Sequence, residues 1–242
     1  MKITVITVCF NAANTLERTI QSIKEQTYWD IEYIIIDGKS TDTTINIIKQ
    51  YEKYVTHWIS EPDKGVFDAM NKGLSLATGD YVIFMNAGDY FADANTIENV
   101  ASYIVNNEVD VYHGDIYRDI KSQDHIWKST PFYLNKRKIK GMNICHQAIF
   151  TKTSTAQKYY FDTSFKVAAD YNMMMQIYKD GGSFKHIPLN IAIYDTNGIS
   201  ATNWKQTFLE EARICGYENS LLAYLILLKR SISYKIKSLH NK

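Results

Sequence analysis

The chain has 242 residues, 45% of them hydrophobic and only 3 proline, which suits one large domain with a substantial core and excludes long disordered tracts. Its formal net charge of +1 excludes a global electrostatic pull toward nucleic acid, so no nucleic-acid partner is expected. Cys9, Cys145 and Cys215 have neither disulfide-framework nor zinc-site spacing and read as reduced thiols of a cytosolic protein.

Residues 3–8 are a short β-rich run, too short for a secretory leader and without a small-residue cleavage site, and therefore a first strand. Asn14, Thr15 and Glu17 offer a helix cap, followed by Leu16, Ile20 and Ile23 at helical spacing. Residues 31–36 are apolar on both faces in their second half, as in a strand covered on both sides, and end at Asp37. A second helix follows, capped by Ser40 or Asp42, with Ile45, Ile48 and Tyr51 inward. Residues 55–59 predict a third strand, 67–77 a helix, 81–85 a fourth strand and 97–105 a helix.

Strand–helix alternation of this kind predicts an α/β fold with a mostly parallel central sheet flanked by helices. In such sheets the ligand crevice lies beyond the carboxyl ends of the strands. The second half is less regular. Residues 109–113 and 144–150 have strand character, 121–140 reads as a polar loop with Lys136, Arg137, Lys138 and Lys140 clustered, 170–178 is helical, and 185–194 is a strand or hairpin arm. Residues 1–210 are expected to form one catalytic unit and 211–242 a helical, basic amphipathic tail. No stretch of about 18 apolar residues occurs, so no segment is expected to span a bilayer. In the tail, the apolar block 221–228 precedes Lys229, Arg230, Lys235 and Lys237, a pattern that fits either an anionic membrane surface or packing on the domain.

Four constellations fall where such a fold places a ligand. Asp37, ahead of Gly38-Lys39-Ser40-Thr41-Asp42, suits a ribose or base edge and equally a turn acid capping the next helix. Asn86-Ala87-Gly88-Asp89 puts a carboxylate at a strand end beside a glycine that lets a ligand approach the backbone. It fits a hard divalent cation that shares a diphosphate, or a plain turn. The stretch from Glu61 to Gly73 places Asp63 and Lys64 before a helix start, suited to base and phosphate or to solvent, with Asp68 and Asn71 as cap or strut residues. Asp170, entering a helix, suits a general base or a residue favoured by the helix dipole, and His146 with Gln147 lies where it can line the same cleft.

In their order along the chain, Val5-Ile6-Thr7-Val8-Cys9-Phe10-Asn11, the run from Ile34 to Asp42, the run from Glu61 to Gly73, Phe84-Met85-Asn86-Ala87-Gly88-Asp89, Cys145-His146-Gln147-Ala148-Ile149-Phe150 and Ala168-Ala169-Asp170-Tyr171 resemble family 2 glycosyltransferases, nearest to the colanic-acid and related polysaccharide-synthesis branch. The resemblance implies a GT-A fold and an inverting hexosyltransferase-type enzyme with a divalent metal, Mg2+ or Mn2+. It also implies a nucleoside-diphosphate sugar donor and a glycan or lipid-linked acceptor, at the cytoplasmic face of a bacterial cell membrane. By the same resemblance Thr7, Phe10, Asn11 and Asp37 hold the nucleoside, Asp63 and Lys64 lie near its base and phosphates, and Asn86, Gly88 and His146 line the donor site. Asp89 is then the metal ligand and Asp170 the catalytic base. Asn86 and Gly88 stand where many members carry aspartate, which leaves one carboxylate for the metal. Two other classes compete. A nucleotidyltransferase usually needs a glycine-rich phosphate loop after the first strand, which Asn11-Ala12-Ala13-Asn14 does not supply. An inactive nucleotide-sugar-binding module would suit the reduced acid count.

Overall fold

The computed structural model describes residues 1–104, 109–120, 123–127, 142–195, 203–221 and 223–229. β1 (Ile3–Cys9) and β2 (Ile31–Asp37) pair in parallel, with Ile3 opposite Ile31 and Cys9 opposite Asp37. β3 (His57–Ser60) and β4 (Tyr81–Phe84) join in parallel on either side, giving the order β3-β2-β1-β4. Side chains alternate across this sheet: Ile6, Val8, Ile34 and Ile36 enter one core, and Ile3, Val5, Tyr33 and Ile35 the other.

Helices cover both faces, which is why β1, β2 and β4 are buried along almost their whole length, with Thr4, Thr7, Glu32 and Asp37 as their buried polar positions. α1 (Leu16–Lys24), α2 (Thr44–Gln50) and α4 (Thr96–Ile104) bury Leu16, Ile20, Ile48, Ile97 and Val100 on one side. α3 (Val66–Leu76) buries Phe67, Met70 and Leu74 on the other, joined by α5 (Thr153–Tyr159) and α6 (Ala169–Lys179), whose Met173, Met174 and Ile177 fill the same core. The chain beyond β4 adds β5 (Tyr90–Phe91), β6 (Val111–Ile120), β7 (Gln123–Trp127), β8 (Ile149–Lys152) and β9 (Phe184–Asp195). The sheet then runs β3-β2-β1-β4-β8-β6-β9-β5, with β7 paired to β6 off this path. β8 is antiparallel to both β4 and β6, whereas β6 and β9 run parallel, so the expected α/β fold is present with a mixed C-terminal half.

Several local expectations change. Thr15 makes no side-chain cap; its hydroxyl donates to Ala12 O (3.4 Å), and Glu17 instead accepts from the Tyr51 hydroxyl (2.7 Å). Asp42, not Ser40, takes up an amide at the start of α2, that of Thr44 (3.0 Å). Residues 146–148 form a 3-10 turn ahead of β8 rather than a continuous strand. The expected loop 121–140 contains β7, and its basic cluster Lys136, Arg137, Lys138 and Lys140 lies outside the described residues. The boundary expected at residue 210 falls inside α7 (Trp204–Ile214), whose Phe208 and Ala212 pack on Ala223. Among the described residues no helix is long and apolar enough to cross a membrane.

Candidate active site

The carboxyl ends of β1 and β2 are tied into one loop cluster. Asp37 is fully buried, and its carboxylate accepts the Ser40 amide (2.9 Å), the hydroxyls of Ser40 and Ser60 (2.7 Å for Ser60) and the Cys9 thiol (3.7 Å). Burial first, then the Asp37 charge, pushes the Cys9 thiol up, so this thiol stays protonated. Asn11, with φ of 47°, closes the cluster: its amide donates to Ser40 Oγ (2.7 Å) and its Oδ1 accepts the Thr41 amide (2.9 Å). Gly38 lies where Phe10 and Asp63 meet. A Cβ there would collide with the Asp63 carboxylate and touch the Phe10 ring at 3.4 Å. Phe10 stands 62% exposed at this mouth, as an apolar plate beside a carboxylate.

Two of the residues expected around the nucleoside are buried. Thr7 is fully buried, its hydroxyl donating to Met85 O (2.8 Å) and accepting from Tyr33 (3.1 Å), so it reaches the site only through the β4 end that it braces. Asp37, with its oxygens occupied and no exposed surface, shapes the loop cluster rather than facing solvent. Asp63 accepts the Gly65 amide (2.9 Å), and Lys64 is exposed, with its backbone amide on Asp68 (3.0 Å). Asn71 is a strut, exchanging two hydrogen bonds with the backbone of Phe161 (2.8 Å each).

The loop after β4 is shaped from below by α1. The Thr19 hydroxyl accepts the Gly88 amide (2.9 Å) and donates to Asp89 O (2.8 Å), while Arg18 donates to Gly88 O and lies over the Tyr90 ring at 4.3 Å. Gly88 has φ of 110°, a conformation that an aspartate at this position would adopt only under strain. Asp89 is 6% exposed, and its Oδ2 accepts the side-chain amide of Gln147 (2.9 Å).

One residue earlier in the same 3-10 turn, His146 joins the β4 loop to α6. Its Nε2 is 3.2 Å from Asn86 Nδ2, and its Nδ1 is 3.3 Å from Asp170 Oδ2. Asp170 lies in the first turn of α6, where its other oxygen accepts the Tyr171 amide (2.8 Å). With the ring proton on Nδ1, Nε2 accepts from Asn86, and Asn86 Oδ1 is left buried without a hydrogen-bond partner among the described residues. Protonating Nε2 as well would require Asn86 to turn its amide over, so amide orientation and ring charge change together. Burial disfavours the charged ring, but the hydrogen bond to Asp170 and the charges of Asp170 and Asp89 outweigh it and hold the His146 pKa above its ordinary value.

Asp170, His146 and Gln147 line a cavity of about 240 Å³, with apolar wall from Ile116, Met142 and Ile144. Asp89 is not in its lining; it sits behind Gln147, one hydrogen bond from the wall. The structure thus brings Asn86, Asp89, His146 and Asp170 together, and gathers Phe10, Asn11, Asp63 and Gly38 at a second cluster on the same carboxyl edge of the sheet. The sequence reading had no role for Arg18, Thr19 or Glu210. Glu210 fixes the backbone before α6, and a lone glutamate in a C-terminal helix carries no local signal of that role.

No group of three or more His, Cys, Asp or Glu side chains able to hold a metal ion is present among the described residues. Asp89 and the Asn86 carbonyl supply hard oxygen donors of the kind Mg2+ or Mn2+ takes, and the buried, unpartnered Asn86 Oδ1 is the observation that fits such an ion; its remaining ligands would be diphosphate oxygens and water.

The sequence profile of glycosyl transferase family 2 matches residues 4–182. A PGL/p-HBAD biosynthesis glycosyltransferase of Mycobacterium tuberculosis is 31% identical over 217 residues, covering 85% of this chain and 82% of the relative. These names do not single out the colanic-acid branch that the motifs suggested. Among solved structures, TarS 1–349 of S. aureus in complex with UDP-GlcNAc superimposes with a TM-score of 0.71 at 18% identity, over 88% of this chain and 66% of that one. The mannosyltransferase PcManGT of Pyrobaculum calidifontis, in complex with GDP-Man and Mn2+, gives 0.66 at 17% identity over 96% and 75%. In a further structure, of S. aureus TarS, this chain spans 39% of that one. Both likenesses are of fold, and the fold is GT-A.

Proposed function

The chain belongs to glycosyl transferase family 2 and is a glycosyltransferase, and from that premise we propose that it inverts an anomeric centre, moving a sugar from a nucleoside diphosphate to a hydroxyl of a glycan or lipid-linked acceptor in surface glycan or glycolipid synthesis. The observation that carries this reading is the run of side chains Asn86–His146–Asp170 with Asp89 joined through Gln147, which sets two distant carboxylates on either side of one short turn. The relatives named for PGL/p-HBAD biosynthesis support a glycolipid or glycan acceptor, and the nucleotide-sugar complexes of fold relatives support the donor class.

In this reading Phe10 offers its exposed ring to the base, with Asp63 and Lys64 at the same mouth and Asn11, Gly38 and Asp37 shaping it. The backbone of Gly88 lets the diphosphate approach. Asp89 and Asn86 would hold a divalent cation, which when bound would neutralise charge growing on the leaving diphosphate. Asp170 accepts the proton of the acceptor hydroxyl as that oxygen bonds to the anomeric carbon. The bond from that carbon to the diphosphate breaks with its electron pair leaving on the nucleotide. His146, with Nδ1 3.3 Å from Oδ2, holds the Asp170 carboxylate in place. Positioning and charge stabilisation then supply most of the rate.

The tail supports peripheral attachment at the cytoplasmic face of a membrane. Leu221, Tyr224, Leu225 and Leu228 stand 73%, 63%, 51% and 46% exposed at spacings of three and four, while Ala223, Ile226 and Leu227 pack on the side of Phe208 and Ala212. Beyond Glu218 the sequence has no acid and carries Lys229, Arg230, Lys235, Lys237 and Lys242, a charge suited to anionic lipid.

Asp170→Asn tests the proposal. Turnover of the nucleotide sugar should fall by roughly 10²–10⁴-fold, the usual worth of a general base, with donor affinity within about twofold by calorimetry. Turnover close to that of the unaltered protein overturns the base assignment. Formation of a sugar nucleotide from a sugar phosphate and a nucleoside triphosphate would point instead to a nucleotidyltransferase.

A further inference from the structure

α7 lies outside residues 4–182, the part matched by the family profile, yet it forms one wall of the cavity that contains Asp170. Thr207 and Glu211, one helical turn apart, line that space together with His146 and Asp170. Ile116, Met142 and Ile144 give the same cavity an apolar surface. The cavity, about 240 Å³, is smaller than the ~300–1,000 Å³ typical of pockets for drug-sized ligands, and accommodates one ring at a time.

Glu210, next in sequence to Glu211, has a different task. It is 5% exposed, and its carboxylate accepts three consecutive backbone amides, those of Lys166 (2.8 Å), Val167 (2.9 Å) and Ala168 (2.8 Å), together with the Gln206 side-chain amide (2.7 Å). Burial alone would raise its pKa, but the Gln206 bond and the three amides outweigh it and hold the carboxyl below its ordinary value, so it stays ionised. The strap 166–168 leads directly into α6 and Asp170. One helix therefore both fixes the approach to the base and presents polar groups to whatever the base deprotonates.

We infer that α7 is the acceptor side of the active site: Thr207 and Glu211 select a hydroxylated ring that lays an apolar face on Ile116, Met142 and Ile144, and Glu210 is the positioning residue for Asp170. This rests on the function proposed above. The ligand chemistry is a ring with hydroxyls at its edge and an apolar face, which a sugar with its C–H face or a phenol satisfies. Glu211 accepts from an edge hydroxyl, and the hydroxyl nearest Asp170 is the one that reacts.

The test uses the full chain with Mn2+ and the UDP-, GDP- or dTDP-sugar that raises its melting temperature most. Binding of two probes, octyl β-D-glucopyranoside for the sugar and methyl 4-hydroxybenzoate for the phenol, is measured by NMR titration in the presence of the matching nucleoside diphosphate. For Glu211→Gln the tighter probe should bind about tenfold more weakly, the loss of one charge-assisted hydrogen bond, while donor affinity changes less than about twofold. Which probe binds identifies the source of the ring. Equal probe affinity in the variant and the unaltered protein, or no binding of either probe at millimolar concentration, overturns the acceptor assignment.

Glu210→Gln places a donor NH2 against amide N–H groups and should slow metal-dependent donor hydrolysis, in which water stands in for the acceptor, by about tenfold at unchanged donor affinity. Unchanged hydrolysis with a lowered melting temperature would reduce Glu210 to a structural residue. Failure of any nucleotide sugar to bind the unaltered protein would instead remove the underlying function, so the two failures are distinguishable.

Discussion

The carboxyl ends of β1 and β2 and the carboxyl end of β4 differ in what their polar groups are bonded to. At the first, Asp37, Ser40, Ser60, Asn11 and Thr41 bond largely to one another, and Asp37 has no exposed surface. At the second, α1 ties down the backbone but side-chain bonds run outward to the other half of the chain, from Asn86 to His146 and from Asp89 to Gln147, and one buried oxygen, Asn86 Oδ1, is left without a partner among the described residues. A buried polar group that its neighbours already satisfy builds a scaffold. One that they leave short is where a ligand is expected, because an unpaired buried oxygen costs about 1–3 kcal/mol until something supplies the bond.

The largest effect that would sharpen this contrast lies at Asp89. Asp89→Ala removes the carboxylate proposed to hold the metal, and donor affinity in Mn2+ should fall by tens of fold, an energy of about 2 kcal/mol. Equal calorimetric affinity of the unaltered protein for the nucleotide sugar with and without Mn2+ would break the contrast, because the β4 loop would then be scaffold too. Asp37→Ala should act in the opposite sense. It strands the hydroxyls of Ser40 and Ser60 and lowers stability by about 1–3 kcal/mol, read as a melting temperature lower by several degrees, with donor affinity falling less than for Asp89→Ala. Lost donor binding at an unchanged melting temperature would mean that Asp37 touches the ligand after all. The smallest effect is expected far from both. Leu225→Glu, at an exposed position, should leave stability within about 0.5 kcal/mol. It should abolish co-sedimentation with phosphatidylglycerol vesicles at low salt; a variant that sediments as the unaltered chain does would remove the membrane role of the tail.

The same contrast explains which site residues were legible. Asp170 and Asp89 could be marked because each follows a local pattern, an acid entering a helix and an acid closing a strand. Thr7 was marked only through the family resemblance, and it is buried, its hydroxyl tied to Met85 O and to Tyr33. Gln147 was noticed only as a neighbour of His146, and its bond to Asp89 spans 58 positions of sequence. Glu210 reaches 42 positions back to Ala168, and no spacing rule announces such a contact.

The sequence by itself determined most elements of the first half: strands recognisable by short β-branched runs, helices by inward stripes at period 3.6, and their alternation into a parallel sheet. These are properties of neighbouring residues, governed by backbone geometry and the burial of one face. Only the tertiary structure decided that β8 inserts antiparallel between β4 and β6, that His146 and Gln147 reach the two carboxylates, and that α7 lines the cavity of Asp170. Those outcomes depend on which surfaces meet when the core closes, and a polar side chain shows its partner only after packing has brought the two within bonding distance.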